Sequence, residues 1–373
     1  MSGHSGSGHF DVAVIGAGIA GASVAAGLAG THRVALVEME AQAGFHTTGR
    51  SAAIWIRNYG PPDVRVLTGL SYDFYQNPPA DIGTDSLAVG RRILYLAPQD
   101  QTPALDALIA QDLGIEEISL AAAKELCPAI IDGYAVRAGL ESDGFDMDVA
   151  ALHQFYLRRG RAAGGILLLR HRAGRIERKN GAWEVETSGG AVITAPVVIN
   201  AAGAWGDEVA GIAGLKPIGL VPCRRTAAII DPGPWDVEHW PLVQSAGHDW
   251  YARTEARRKL MVTPCDETPD VPHDVQPDEL DIAIAIDRMS QALSINVRRV
   301  EHSWAGLRTF APDRSLAFGW DNAAPGFFWC VGQGGYGIQT APAASALVTA
   351  MVKGEDPGPA GAIIPAIDPM RFR

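Results

Sequence analysis

Gly16-Ala17-Gly18-Ile19-Ala20-Gly21 follows an apolar run directly and precedes a run of small residues, and an acid, Glu38, stands about twenty residues further on. Those residue types at that spacing are suited to holding a dinucleotide. The first glycine permits a tight turn, the second lets backbone approach a pyrophosphate, and the third lets a helix pack closely on a strand. The helix N-terminus then faces the phosphate charge. A carboxylate at Glu38 accepts hydrogen bonds from the adenosine ribose and repels a 2′-phosphate, so the ligand is FAD or NAD and not NADP.

The next chemically marked segment is Gly44-Phe45-His46-Thr47-Thr48-Gly49-Arg50-Ser51-Ala52-Ala53. Its hydroxyls, small residues and single arginine suit a flavin, which needs donors along its pyrophosphate and ring edge and flat space beside the ring. Gly332-Gln333-Gly334-Gly335-Tyr336-Gly337 again follows an apolar run, Phe327 to Val331, and again opens a helical stretch. No third strand ending in an acid follows it, so a second dinucleotide fold cannot close there. What remains is a helix N-terminus that stabilises negative charge on the reduced ring edge.

These groups need elements to position them. Asp11 to Ile15 reads as a buried strand, Ala22 to Ala29 as a small-residue helix and Arg33 to Glu38 as a second buried strand. A helix is expected from about Pro62 to Tyr75, a strand over Arg92 to Leu96, and helical structure between Leu105 and Leu126. Alternation at Trp183 to Thr187 and Ala191 to Thr194 predicts antiparallel strands, and Val197 to Asn200 a buried one. A helix over Gln276 to Ala292 and a terminal helix over Ile338 to Lys353 complete the pattern. The opening Met1 to His9 reads as a flexible lead-in outside the fold. Val12 to Gly30 is uncharged, but its spaced glycines fit a strand, turn and helix better than a membrane span.

The chain has 373 residues, 47% hydrophobic and 20% charged, with a formal charge of −11. That length accommodates two packed domains, and the acidic balance with no basic cluster argues against nucleic acid or an anionic membrane as partner. Cys127, Cys223, Cys265 and Cys330 form no C-x-x-C pair, so neither a zinc site nor a redox dithiol is argued, and a reducing, cytoplasmic setting is expected.

The glycine turn at Val14 to Ser23, the loop Gly44 to Ala53, the turn Asn200-Ala201-Ala202-Gly203-Ala204-Trp205, Trp304-Ala305-Gly306-Leu307-Arg308 and Gly332 to Thr340 resemble the D-amino-acid oxidase superfamily. Within it they are most similar to the bacterial D-arginine dehydrogenases. The resemblance implies an α/β fold: an FAD-binding βαβ domain of the Rossmann-like, glutathione-reductase type, with an inserted antiparallel-sheet α+β substrate domain. The FAD domain is expected from 10–62, 143–215 and 300–373, and the substrate domain from 63–142 and 216–299. The family binds FAD noncovalently and takes a hydride from the substrate Cα onto flavin N5. The imino acid so formed hydrolyses to the 2-oxo acid.

Carried over residue by residue, the resemblance places the cofactor against Gly16, Gly18, Ala20, Gly21, Glu38, Met39, Thr47, Thr48, Gly49, Arg50, Ser51, Ala52 and Ala53. It continues along Ala173, Ala202, Gly203, Trp205, Gly334, Gly335, Tyr336, Gly337, Ile338 and Gln339. It puts the carboxylate-binding arginines at Arg225 and Arg308, hydroxyl donors at Tyr59 and Tyr251, and the carbonyl for the amino group at Gly335. Two guanidinium forks match a planar carboxylate, and holding carboxylate and nitrogen together sets the Cα–H in place for transfer.

The departures narrow the substrate. Where the D-arginine enzymes have an acid this chain has Ile93, and where they have a histidine near the amino group it has Ile54. Ile54, Ile56 and Ile93 are expected around the side-chain pocket, favouring an apolar or neutral D-amino acid. Arg57 or Arg92 turned inward would select an acidic one. No histidine matches a base position, so a neutral amine binds directly. A 2-hydroxy-acid dehydrogenase of the same fold, which requires a base for its hydroxyl, and a noncatalytic flavin protein are the rival readings. Oxygen and quinones are both open as electron acceptors.

Overall fold

In the computed structural model, which describes residues 7–255 and 258–373, the first glycine motif lies between two short strands whose residues are all buried, Val12–Ile15 and Val34–Val37. They form part of a six-stranded sheet ordered 166–168, 34–37, 12–15, 197–200, 327–331 and 317–320. Its first five strands run parallel, and the last pairs antiparallel along Ala317 to Trp320. A parallel sheet buried on both faces accepts unbroken apolar runs, which is why these strands show no alternation. Helix Ile19–Leu28 packs against Val149–Ala162 and Gly337–Lys353. The approach is close: a Cβ on Gly27 would lie 2.4 Å from Thr349 Oγ1.

A second, nine-stranded sheet is ordered 268–269, 221–230, 259–263, 251–255, 242–245, 93–97, 137–141 and 115–118, with 300–310 also paired to 221–230. Most of its pairs are antiparallel; Leu242 to Ser245 runs parallel to Ile93 to Leu96. Smaller sheets of four and three strands complete the fold. The strand Val300–Phe310 falls by sequence in the last cofactor segment. By hydrogen bonding it belongs to the nine-stranded sheet, running from Val221 opposite Phe310 to Ile230 opposite Val300.

Two expectations need correction. Gly8–His9 is a strand, paired parallel to Ile193 and Thr194, and Ser7 Oγ accepts a hydrogen bond from Val192 N at 2.9 Å, so the lead-in joins the fold from Ser7 onward. Met1 to Gly6 lie outside the described residues. The stretch from Leu105 to Leu126 is two helices, Thr102–Ile109 and Leu120–Leu126, around the strand Ile115–Ile118. Asp112 and Gly114, at φ +53° and +89°, end the first helix, and the Ser119 hydroxyl caps the second by accepting from Ala122 N. Among the described residues no helix is long and apolar enough to cross a membrane.

Candidate active site

The glycine turn opens onto a long cavity that runs past Glu38 and Met39, Thr47 and Thr48, Ala173, Ala202 to Trp205, and Gly334, Gly335 and Gly337. Gly16 holds φ +100°, and a Cβ there would sit 2.5 Å from Ala201 O. On Gly21 a Cβ would meet Gly16 O at 1.8 Å, so that glycine permits the helix to sit on the turn and does not line the cavity. Gly203, at φ +54°, has open space where a Cβ would stand.

Glu38 is buried, and its two carboxylate oxygens accept hydrogen bonds from Ala17 N and Glu40 N, each at 2.9 Å. A carboxylate has about four lone-pair sites, so acceptors remain for ribose hydroxyls. The Thr48 hydroxyl accepts from Ile19 N at 3.0 Å and fixes the loop against the helix N-terminus. Thr47 Oγ1 donates to Leu307 O at 2.7 Å, and Arg50 Nη1 donates to Val275 O and Ala305 O. The Arg50 side chain therefore ties the loop to strand Val300–Phe310. The long cavity, backbone-lined turns and acid at one end fit FAD.

The large cavity meets a smaller chamber; Ser51, Ala52, Tyr251, Arg308, Gly335 and Ile338 border both. Ile54, Ile56, Tyr59, Met147, Gln244, His248 and Gln339 also line the chamber. Cys223 pairs with Arg308 and Arg225 with Gly306, so the two arginines are diagonal neighbours on one face of adjacent strands. Arg308 Nη1 donates to the Tyr59 hydroxyl at 2.8 Å and has no carboxylate partner among the described residues. Arg225 is buried: Nε donates to Asp266 O at 2.7 Å, Nη2 to Glu267 Oε1 at 3.1 Å, and Nη1 has no partner. Burial raises the pKa of Tyr251 and keeps its hydroxyl protonated as a donor.

Several sequence expectations are displaced. Ile93 is fully buried in the core with Tyr95 and Leu105 and lines neither space; its position in a run of five buried residues hid which way it points. Arg57 Nε donates to Asp143 at 2.7 Å and its guanidinium lies over Trp55 and Tyr72, while Arg92 is exposed, so neither borders the chamber. Gly49 and Tyr336 do not border the cofactor cavity, and Ala53 and Gln339 border only the chamber. Gly49 instead closes the loop by donating its N–H to Gly44 O, and Tyr336 packs on Tyr59. The Gln339 side chain donates to Thr68 Oγ1 at 2.8 Å, joining two helices.

Sequence reasoning missed Met147, Gln244 and His248. No motif marks them; the tight turn between strands Leu242–Ser245 and Tyr251–Glu255 delivers His248, which holds φ +56°. Burial first, then the Arg225 and Arg308 charges, push the His248 pKa down to about 3.

The sheet order, the glycine cradle and the acid define an FAD-dependent oxidoreductase. The family model described as FAD dependent oxidoreductase matches residues 11–351, and the chain belongs to that family. It is similar in fold to L-proline dehydrogenase from P. horikoshii, at 21% identity over 98% of each chain with a TM-score of 0.84. Glycine oxidase from Geobacillus kaustophilus matches at 20% identity, covering 93% of this chain and 95% of that one, with a TM-score of 0.83. L-alpha-glycerophosphate oxidase from Mycoplasma pneumoniae, solved with FAD bound, matches at 15% identity over 93% and 95%, also with a TM-score of 0.83.

Proposed function

We propose that the enzyme oxidises the Cα–N bond of an α-amino acid, of D configuration and with a neutral side chain, to the imino acid. The observation that carries this reading is the arginine pair: Arg308 without a carboxylate partner among the described residues, beside Arg225 with its buried Nη1 unpartnered. An unpaired buried donor is costly, and a substrate carboxylate supplies the missing acceptor. Tyr59 and Tyr251 line the chamber that Arg308 borders, Arg225 lies on the cofactor-cavity side with Tyr251 and Arg308, and the sequence resemblance assigns the Gly335 carbonyl to the amino group. Ile54, Ile56 and Met147 favour an uncharged side chain, with Gln244 and His248 as the polar exceptions. The proteins of similar fold include an L-proline dehydrogenase and a glycine oxidase, which supports an amino acid and leaves the D configuration to the sequence resemblance. FAD, when bound, supplies the hydride acceptor.

One observation favours a second reading, oxidation of a 2-hydroxy acid. That chemistry requires a base for the hydroxyl proton, and His248 carries an unpartnered ring nitrogen beside the arginine pair. Anaerobic mixing with a panel of D- and L-amino acids and 2-hydroxy acids, followed at the flavin absorbance, separates the two. Bleaching by neutral D-amino acids supports the first reading. Bleaching by hydroxy acids alone overturns it.

A further inference from the structure

His248 lines the chamber and is held by a hydrogen bond to Gln244, next to a buried tyrosine–carboxylate pair. Tyr95 OH donates to Glu141 Oε2 at 2.7 Å, and Glu141, fully buried, also accepts from Arg57 N at 2.9 Å. Strand pairing sets Gln244 beside Tyr95 on one side and Tyr251 on the other. His248 Nδ1 lies 3.0 Å from Gln244 Oε1. That oxygen belongs to an amide carbonyl and can only accept, so the ring nitrogen facing it donates. The proton of the ring is then on Nδ1, and Nε2 carries a lone pair. That Nε2 is buried and has no partner.

We infer that His248 Nε2 accepts the proton from the nitrogen on the substrate Cα, and that Gln244 is the positioning residue that fixes the ring for it. The inference rests on the amino-acid reading above. In the step, the substrate N–H bond breaks and an Nε2–H bond forms, and the N–H electron pair stays on nitrogen. That pair becomes the C=N bond as the Cα–H pair leaves as hydride to the family's FAD. The surroundings decide when the step is feasible. Tyr59 and Tyr251 rings flank His248 with centroids 5.5 and 6.4 Å away, Arg225 and Arg308 are the charges facing it, and Asp249 on its own turn is bonded to Ser245 and Gln101. Without substrate the two guanidinium charges oppose a proton on the ring. Burial opposes that proton first and the charges second; a bound carboxylate offsets the charges and so removes part of the opposition. The same residues also explain why no sequence motif marks the base: its orientation comes from strand register.

The test uses the FAD-loaded enzyme and its His248→Gln and Gln244→Leu variants. Flavin reduction is followed anaerobically from pH 6 to 10 with the amino acid that reduces wild type fastest. His248→Gln is expected to lose about a hundredfold at pH 7 and to recover about tenfold per pH unit as the substrate supplies its own free amine. Gln244→Leu should show the same shape with a smaller loss. Nitrogen NMR of histidine-labelled holoenzyme, assigned by the signal lost in His248→Gln, should show Nδ1 protonated and Nε2 bare down to about pH 4. A wild-type profile in His248→Gln, or a protonated Nε2 at pH 7, overturns the inference. So does a loss uniform in pH, which would make His248 a support for Arg225. If no amino acid reduces wild type, the substrate reading and the nitrogen proton fall together. The NMR signature then reports separately on whether Gln244 orients the ring.

Discussion

Arg308 Nη1 and the Tyr59 hydroxyl are 2.8 Å apart although 249 residues separate them, and Gly335 is what lets them meet. A Cβ on Gly335 would stand 2.8 Å from that nitrogen and 2.9 Å from that oxygen. Gly335→Ala must therefore push the pair apart. The expected outcome is at least a tenfold fall in kcat/KM with FAD content, read by absorbance of the purified protein, near wild type. Wild-type kinetics would place the pair away from substrate.

Arg308→Met removes one fork of the carboxylate site. Truncating one partner of a buried charge pair costs about 2–5 kcal/mol, so kcat/KM should fall at least tenfold for every substrate, with their ranking unchanged. The comparison is kcat/KM for D-leucine, D-phenylalanine and D-glutamate in both proteins. A substrate that the variant spares is one whose carboxylate does not meet Arg308.

Charge introduced at two isoleucines should have opposite signatures. Ile93→Glu buries an unpaired carboxylate in a packed core and should lower Tm by several degrees while leaving substrate order intact. Ile54→Glu, in the chamber wall, should lower activity on D-leucine and raise it on D-arginine or D-lysine. Melting curves and kcat/KM for those substrates distinguish the two sites.

Glu38→Ala should weaken FAD retention, since a hydrogen bond to a charged acceptor contributes about 1.5–3 kcal/mol. Apo-protein for the titration comes from acid precipitation, which should release the flavin because the attachment is expected to be noncovalent. Unchanged affinity in the variant would remove Glu38 from the ribose contact.

Stability should fall on acidification. Burial, then the arginine charges, hold His248 down at about 3, and burial lowers His153 as well. Between the ordinary histidine value near 6.5 and the folded values, the unfolded chain binds protons that the folded one refuses. The stability that these histidines contribute is therefore fully present above about pH 6.5 and declines below it, by up to about 1.4 kcal/mol per pH unit for His248. His248→Gln should show a shallower drop in Tm from pH 7 to pH 5 than wild type. An equal drop would mean that His248 takes up protons normally.

The cofactor half was legible because its signals are local. Gly16 to Gly21 and Glu38 carry the turn, the approach and the acceptor within one strand-helix-strand unit, and all four strands around them are continuous apolar runs. The substrate side depends on register. Ile93 and His248 both belong to strands or turns of the nine-stranded sheet, where side-chain direction follows from pairing between segments far apart in the chain, as in Leu94 beside Val243. The Gly8–His9 strand was hidden for another reason: a Gly, Ser and His composition carries no propensity, and the neighbouring strand's open edge supplies the order.

Strand Val300–Phe310 sets a schedule for making the enzyme. It anchors the loop through Thr47 to Leu307, a bond spanning 260 residues, and it pairs along its length with Val221–Ile230. As the chain emerges from the ribosome, the glycine turn can fold early, but the loop that grips the other half of the cofactor has nothing to fasten to until Leu307 has been made. Flavin met by the nascent chain is held by one hand only. Tight capture waits for strand Val300–Phe310.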